Sequence, residues 1–369
     1  MGAVDLKHVY ILCSSPNLRG IHTYSLNCLQ LFPNSRLLIP PGNNRILWLI
    51  WEFFFPFFLL LSTRNSVLIF ANTRISPLAF AIRRDNYFLA ILHDFMDTSL
   101  DCTMGTSPLS PKTYLNTTLL TSSLIHADCV VSNSNITRNS LQQLIPAADA
   151  YRPVLYPHLS FKPDLIATAL ENLRLPQHEI LTNINNHSFA FFSLAGITSN
   201  KSPHSYCDLI RNISSDIPDS SLYYIIGLPP DSTFHQSIQA KLPRVTVKSL
   251  YRVSELTLVY LYLLSDAFIS LSNQEGFGIP LHDALAFGVS SYVTSIPSFL
   301  ELSTIHPYSD VMYFPHLSIT KDLPPSLRQQ QYCPDRFRRA LTRGDKYLST
   351  HTQHDYRLRK QVRNIYQYI

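Results

Sequence analysis

Charge is scarce in this chain of 369 residues: Asp, Glu, Lys and Arg make up 15%, against 46% hydrophobic residues. That balance excludes a disordered chain, which needs low hydrophobicity and high net charge. It leaves enough apolar surface for packed cores, and the length suits two domains of ordinary size. Thirty basic and 25 acidic residues leave a formal charge of +5. The excess is too small and too spread out for a nucleic-acid partner, and is compatible with an anionic small molecule or a membrane surface. No two of the six cysteines, at 13, 28, 102, 129, 207 and 333, have CxxC spacing, and no histidine cluster accompanies them. They read as reduced, small hydrophobes in a cytoplasmic protein. The glycosylation sequons at Asn116, Asn135, Asn186, Asn200 and Asn212 then read as accidental. Internal repeats and low-complexity tracts are also lacking.

No apolar run reaches the ~20 residues that span a bilayer. The longest, Leu47 to Leu61 (LWLIWEFFFPFFLLL), is shorter and carries Glu52 and Pro56. It reads as a buried or interface helix, with a membrane-surface contact as the alternative its aromatics keep open.

Short apolar runs alternate with helical stretches through the chain. Val9–Cys13, Arg36–Ile39, Ser66–Ala71, Tyr87–Leu92 and Cys129–Ser132 read as strands, with a loop over Ser14–Gly20 and helices over His22–Leu31 and Ser110–His126. Between Tyr156 and Ile180 the pattern weakens to a connection plus a helix. It restarts with strands at Phe189–Leu194, Ser221–Ile226, Arg244–Val247, Ala267–Leu271 and Ser291–Thr294, and ends in a polar, basic helix from about Pro334. Two successive α/β units, each with its own parallel sheet, are expected.

The informative segment is Ala267 to Ser295, AFISLSNQEGFGIPLHDALAFGVSSYVTS. A strand runs into a glycine loop. Pro280 sits where a helix starts, a place its missing N–H suits, and Gly288 where the helix stops. Gly276 and Gly278 let backbone approach a ligand closely. The free N–H groups of the helix start favour a phosphate. Glu275 precedes the loop and Asp283 is expected in the helix's first turn, so the acids suit hydroxyl groups on either side of that phosphate: one on a sugar, one on a ribose. The bland readings are a common glycine loop, with Asp283 serving only the helix dipole.

This conjunction resembles the donor-site motif of family-4 retaining glycosyltransferases. Glu275, Gly276, Phe277, Gly278, Ile279 and Pro280 match its acid-GFG-(aliphatic)-P, and Asp283 stands where the second Glu is usual, one methylene shorter. More weakly, Asn17–Tyr24 is similar to the family's N-terminal loop, with Gly20 at its glycine. Ile50–Pro56 resembles the Trp-Glu helix of mannosyltransferase-like members. Leu92–Asp94 resembles the strand-end His-Asp, and Ala127–Arg138 a segment near the domain junction. The basic pair that follows the first C-domain strand is incomplete: Gly196 is followed by Ile197, and Lys201 is the loop's one basic residue.

The resemblance implies a GT-B fold, two Rossmann-like domains facing a central cleft: an acceptor-side domain over 1–160, a nucleotide-sugar domain over 161–350, and a helix over 351–369 packing back on the first. It implies hexosyl transfer from a nucleotide-diphosphate sugar, with retention, to a glycan or lipid-linked acceptor in polysaccharide biosynthesis. It implies no cofactor and no divalent metal, and the sequence holds no Asp-x-Asp pair of the kind metal-dependent transferases use. The implied catalytic residues are Glu275 (on a donor sugar hydroxyl), His93 and Lys201. Gly20, Gly196, Gly276, Phe277, Gly278, Ile279, Pro280, Leu281 and Asp283 would bind the donor, GDP- or UDP-linked. His93 as a structural residue and Lys201 as a solvated one remain open, as does a non-catalytic nucleotide-sugar-binding protein. The expected location is the cytoplasm, with peripheral contact at the inner membrane face.

Overall fold

The structure is a computed structural model. It describes residues 8–13, 19–32, 34–39, 45–70, 85–94, 111–145, 152–173, 179–187, 189–194, 206, 208–209, 221–230, 232–307, 309–314 and 336–368. Two compact units divide the chain: Met1–His158 with Asp355–Ile369, and Leu159–His354.

In the first unit, β1 (His8–Leu12), β2 (Ser35–Leu38), β3 (Ser66–Phe70), β4 (Tyr87–Leu92) and β5 (Cys129–Ser132) form a sheet in the order β2-β1-β3-β4-β5. Every pairing is parallel. Both faces are covered, so the strands read as continuous apolar runs rather than alternating ones. On one face Val9, Ile11, Val67, Ile69, Leu89 and Ile91 pack with Tyr24 and Cys28 of helix α1 (Arg19–Leu31) and with Leu358, Val362 and Ile365 near the chain's end. On the other, Leu68, Phe70 and Phe88 meet Leu59, Leu60 and Phe55 of α2 (Arg45–Ser62), and Ala90 and Val130 meet Leu120 and Leu124 of α3 (Pro111–His126). Helix α4 (Asn135–Leu144) follows β5, its first turn capped by the Ser134 hydroxyl, which accepts from the Thr137 N–H.

The apolar Leu47–Leu61 segment is thus the body of α2. No helix among the described residues is long and apolar enough to cross a membrane. The helix buries Leu60 fully yet leaves Phe54 57% and Phe58 61% exposed, with Leu61 beside them. Helix α1 begins at Arg19, so Gly20, expected in a loop, is helical.

The second unit begins with α5 (Pro163–Asn172) and α6 (Glu179–Asn185) in the stretch that lacked periodicity. Its sheet joins β6 (Phe189–Ser193), β7 (Ser221–Ile226), β8 (Val245–Leu250), β9 (Ala267–Ser270), β10 (Ser290–Thr294) and β11 (Val311–Phe314) in the order β11-β10-β9-β6-β7-β8, all parallel. The chain lays down β6, β7 and β8 outward in one direction, then returns to place β9 on the other side of β6. The order therefore reverses between β6 and β9. Helices α7 (Thr233–Lys241), α8 (Glu255–Leu264), α9 (Ile279–Phe287) and α10 (Pro297–Ile305) connect the later strands.

A single long helix, α11 (Arg336–Tyr368), belongs to the second unit up to His354 and to the first beyond it. Its start is fixed by charge. Arg336 and Arg339 pair with the buried Asp266 at 2.9 and 2.7 Å, and Asp266 also accepts from the Ala190 N–H of β6 at 2.8 Å. Arg343 donates to the carbonyls of Leu263 and Ser265, which end α8.

Candidate functional site

The reversal between β6 and β9 fixes where a ligand can sit. In open parallel sheets the loops leaving two adjacent strands in opposite directions part at such a point, and ligands bind in the crevice at the strands' carboxyl ends. The two loops here are the one after β6, which carries Gly196 and Lys201, and the one after β9, Leu271–Gly278. Gly196, Ile197 and Lys201 lie outside the described residues. The β9 loop is described throughout.

Its shape is set at both ends. At the start, the Leu271 N–H donates to the Tyr206 hydroxyl at 3.0 Å, and the Thr294 hydroxyl of β10 donates to the Ser272 carbonyl. At the end, Gly278 takes φ +94°, a left-handed conformation that a side chain disfavours. A Cβ there would lie 2.6 Å from Phe299 Cε1, so only glycine lets the turn close against α10. Phe277, in the middle, is buried and its ring meets His282 edge to face at 5.2 Å. Glu275 remains partly exposed. Its charge is felt by the Tyr206 phenol, which burial chiefly, and Glu275 in addition, push above its ordinary range.

Helix α9 opens at Ile279 with Gly278 as its cap, so Pro280 is its second residue rather than its first. No side chain caps this end. Of its first N–H groups, that of His282 is taken by the Gly278 carbonyl. Proline removes one more, and those of Ile279 and Leu281 have no carbonyl partner within the helix. The Tyr262 hydroxyl donates to the Pro280 carbonyl at 3.1 Å and fixes the first turn from beneath. The helix ends at Gly288, φ +73°, with its N–H on Leu285 O.

Asp283 differs from its expected setting. The earlier helix start puts it beyond the first turn, away from the strongest part of the dipole. It is 3% exposed, and its Oδ1 accepts the Ser160 N–H at 2.9 Å. Burial pushes its carboxyl from 3.8 up to about 7, against the hydrogen bonds from Ser160. The acid expected at a ribose is thus already hydrogen-bonded inside the second unit.

In the first unit His93 follows β4 at the carboxyl edge of that sheet. Its ring meets Tyr24 edge to face, centroids 5.0 Å apart, and its carbonyl accepts from the Thr137 hydroxyl at 3.3 Å. Tyr24 in turn donates to the Leu155 carbonyl at 2.7 Å.

Tyr206, Ser160 and the neighbours of His282 were missed in the sequence. The His282 ring lies 2.8 Å from His306, nitrogen to nitrogen, and its centroid is 5.0 Å from that of His354. Among the described residues no group of His, Cys, Asp and Glu is arranged to hold a metal ion. No sequence signal links these residues, which stand 24 to 123 positions apart.

Residues 179–304, which hold the β6 loop, the β9 loop and α9, match the model of the family described as Glycosyl transferases group 1. No curated protein matches the chain. Among solved structures, sucrose-phosphate synthase from Thermosynechococcus elongatus superposes with TM-score 0.63 at 12% identity, covering 97% of this chain and 98% of that one. Anabaena Alr3699/HepE in complex with UDP-glucose gives 0.58 at 12% identity, over 98% and 100%. A UDP-forming α,α-trehalose-phosphate synthase from Burkholderia vietnamiensis gives 0.59 at 11%, over 95% and 82%. At such identities the likeness establishes the fold, which is that of the GT-B glycosyltransferases.

Proposed function

We propose that the protein is a glycosyltransferase that moves a hexosyl group from a nucleotide-diphosphate sugar to a glycan or lipid-linked acceptor, with retention at the anomeric carbon and without a metal. The observation that carries this reading is the β9–α9 turn. A glycine-dependent bend sits at the sheet's topological switch point and opens a helix that no side chain caps, with Glu275 alongside.

The difficult part of such a transfer is the charge that gathers on the departing diphosphate while the sugar becomes cation-like. Backbone N–H groups fixed in advance stabilise that charge without reorganising, and losing one donor of this kind costs about 3 kcal/mol of barrier. The N–H groups of Ile279 and Leu281 have the right character, and Lys201 of the β6 loop would add a positive charge. Glu275 then holds a hydroxyl of the donor sugar and orients it. On the retaining path the leaving phosphate itself takes the acceptor's proton on the same face. His93, at the carboxyl edge of the first sheet, is the candidate for the transferred sugar and acceptor. The match with complexes of UDP and UDP-glucose favours a UDP-linked donor over a GDP-linked one.

A peripheral membrane contact is part of the proposal. Phe54, Phe58 and Leu61 recur on one side of α2 and are exposed, with Arg64 just beyond. Apolar and aromatic side chains presented in this way enter the interface between headgroups and acyl chains.

Thermal denaturation with UDP, GDP, ADP and their sugars tests the donor, because a ligand at a hundred times its Kd stabilises the fold by about 2.7 kcal/mol. A chain unmoved by every nucleotide diphosphate, or one that binds them and transfers nothing to glycan or lipid-linked acceptors, would refute the reading.

A further inference from the structure

The helix that opens at the donor turn also holds both places where the chain passes between its two units. The chain enters the second unit at Leu159 and leaves it after His354. On the entering side, the Ser160 N–H is bound to Asp283 of α9. The next residue, Phe161, packs its ring against Phe287 at the end of the same helix, 6.0 Å between centroids. Phe161 is also tied to the leaving segment: its N–H donates to the Tyr347 hydroxyl at 2.9 Å. On the leaving side, Tyr347 stacks on Phe287 at 4.1 Å and His354 meets His282. Gly288 lies so close to Lys346 that a Cβ would come within 2.8 Å of its Nζ. Residues 282, 283, 287 and 288, all in or ending α9, therefore reach both crossings.

Asp283 is the acidic member of this set, and its geometry leaves little for a ligand. The side chain is buried, and one methylene shorter than a glutamate it reaches the backbone at Ser160. We infer that Asp283 is a positioning residue that pins the chain's entry into the second unit to the donor-site helix, in place of contacting the donor's ribose. Rigid packing of this kind transmits small displacements. A diphosphate that settles into the turn at Gly276–Leu281 shifts α9, and α9 carries Ser160 and His354 with it. This consequence rests on the reading that the turn takes the diphosphate; the pin itself does not.

Amide hydrogen exchange on the full chain separates the two. Without nucleotide, Asp283→Ala is expected to speed exchange at Ser160 and Phe161 at least tenfold relative to the slowest β6 and β9 amides of the same protein, which report the stability of the whole unit. Unchanged exchange at Ser160 overturns the pin. With saturating UDP, the wild type should gain at least threefold protection at Ser160 and Phe161, and Asp283→Ala none; bound UDP without protection in the wild type overturns the coupling. The second measurement uses Asp283→Asn, which keeps an acceptor oxygen and so retains the fold if the alanine variant does not. Affinities for UDP and 2′,3′-dideoxy-UDP, or the GDP pair if that is the base bound, are compared in both proteins. A pin predicts the same ratio within twofold in wild type and variant. A ratio that collapses tenfold in the variant shows Asp283 on the ribose and refutes the inference. If the wild type binds neither UDP nor GDP, the donor reading fails, while ligand-free exchange still decides the pin.

Discussion

Replacing Asp283 by asparagine should make the second unit's stability less sensitive to pH, and the size of the effect follows from burial. The Asp283 carboxyl titrates near 7 in the fold, against 3.8 for an ordinary aspartate. Below 3.8 the group is protonated in both the folded and unfolded chain, and its pKa shift costs nothing. Between 3.8 and 7 the unfolded chain releases the proton first, so stability is lost at about 1.36 kcal/mol per pH unit. Above 7 both states are ionised and the loss levels off at ~4 kcal/mol. The contribution is thus fully present in acid and gone once pH passes about 7.

Asparagine keeps an oxygen that can accept the Ser160 N–H and never ionises. Whatever fixed offset the amide introduces, the variant should gain on the wild type by ~3 kcal/mol between pH 4.5 and pH 8.5. Among the described residues, the ionisable groups that feel Asp283 are the phenols of Tyr262 and Tyr347, both held well above their ordinary range by burial and by the Asp283 charge; beside it in the chain stands His282, whose ring meets those of His306 and His354. All are common to the two proteins, so they largely cancel in the difference. Native-state hydrogen exchange of the slowest β6 and β9 amides reads the stability of this unit alone, which whole-chain melting of two units does not. A gap between variant and wild type that stays within ~0.5 kcal/mol across that range would show a carboxyl as free to ionise folded as unfolded, and would remove the physical basis for a buried Asp283.

Other consequences are simpler to read. Glu275→Gln should lower transfer on the order of 100-fold, the worth of a hydrogen bond to a charged group, while UDP affinity and the melting temperature stay near wild type; an equal loss of nucleotide affinity would move Glu275 from the sugar to the diphosphate. Gly278→Ala should destabilise the second unit by about 2–4 kcal/mol, from left-handed strain plus the contact with Phe299, as measured by denaturant unfolding. A stability equal to wild type would mean that the turn has room for a side chain. Phe54→Ser with Phe58→Ser should weaken binding to vesicles of anionic lipid at least tenfold without changing transfer to a soluble acceptor. Undiminished vesicle binding would place any membrane contact elsewhere. Asp266→Ala should cost about 3–5 kcal/mol in urea titration, because Arg336 and Arg339 would both lose their buried partner; a loss under ~1 kcal/mol would show the pair to be well solvated.

Much of this was legible in the chain, for local reasons. Strands buried on both faces announce themselves as short apolar runs, so Tyr87–Leu92, Cys129–Ser132 and Ser221–Ile226 coincide in sequence and structure. The β9 loop was legible because each of its special residues meets a need of its own backbone: Gly278 for a left-handed turn, Gly288 for the helix end. Boundaries slipped where a single residue carried the cue. Proline at 280 pointed to the first helical position, yet glycine at 278 caps the helix and puts proline second, which moved Asp283 out of the first turn. Edge strand β11 has no comparable signal, since its four residues lie between a helix and a long polar stretch.

What the sequence could not carry was the partner of each polar group. A motif states that an acid stands at 283; it does not state what lies across from it. The difference between a carboxylate that meets a ribose and one that holds a backbone amide is one methylene and a segment 123 residues away. That segment, from Tyr156 onward, lacked periodicity because its work is done by single contacts rather than by a repeating face. Ser160 offers an amide to Asp283, and Phe161 offers a ring to Tyr262, Phe287 and Tyr347. A connection that must be held in one place, and yet forms no regular element, has to be gripped by side chains from elsewhere. The helix that opens at the β9 turn does the gripping here, so the residues proposed to bind the donor and those that hold Ser160 and Phe161 share a single element, and a substitution in either is expected to be felt in the other.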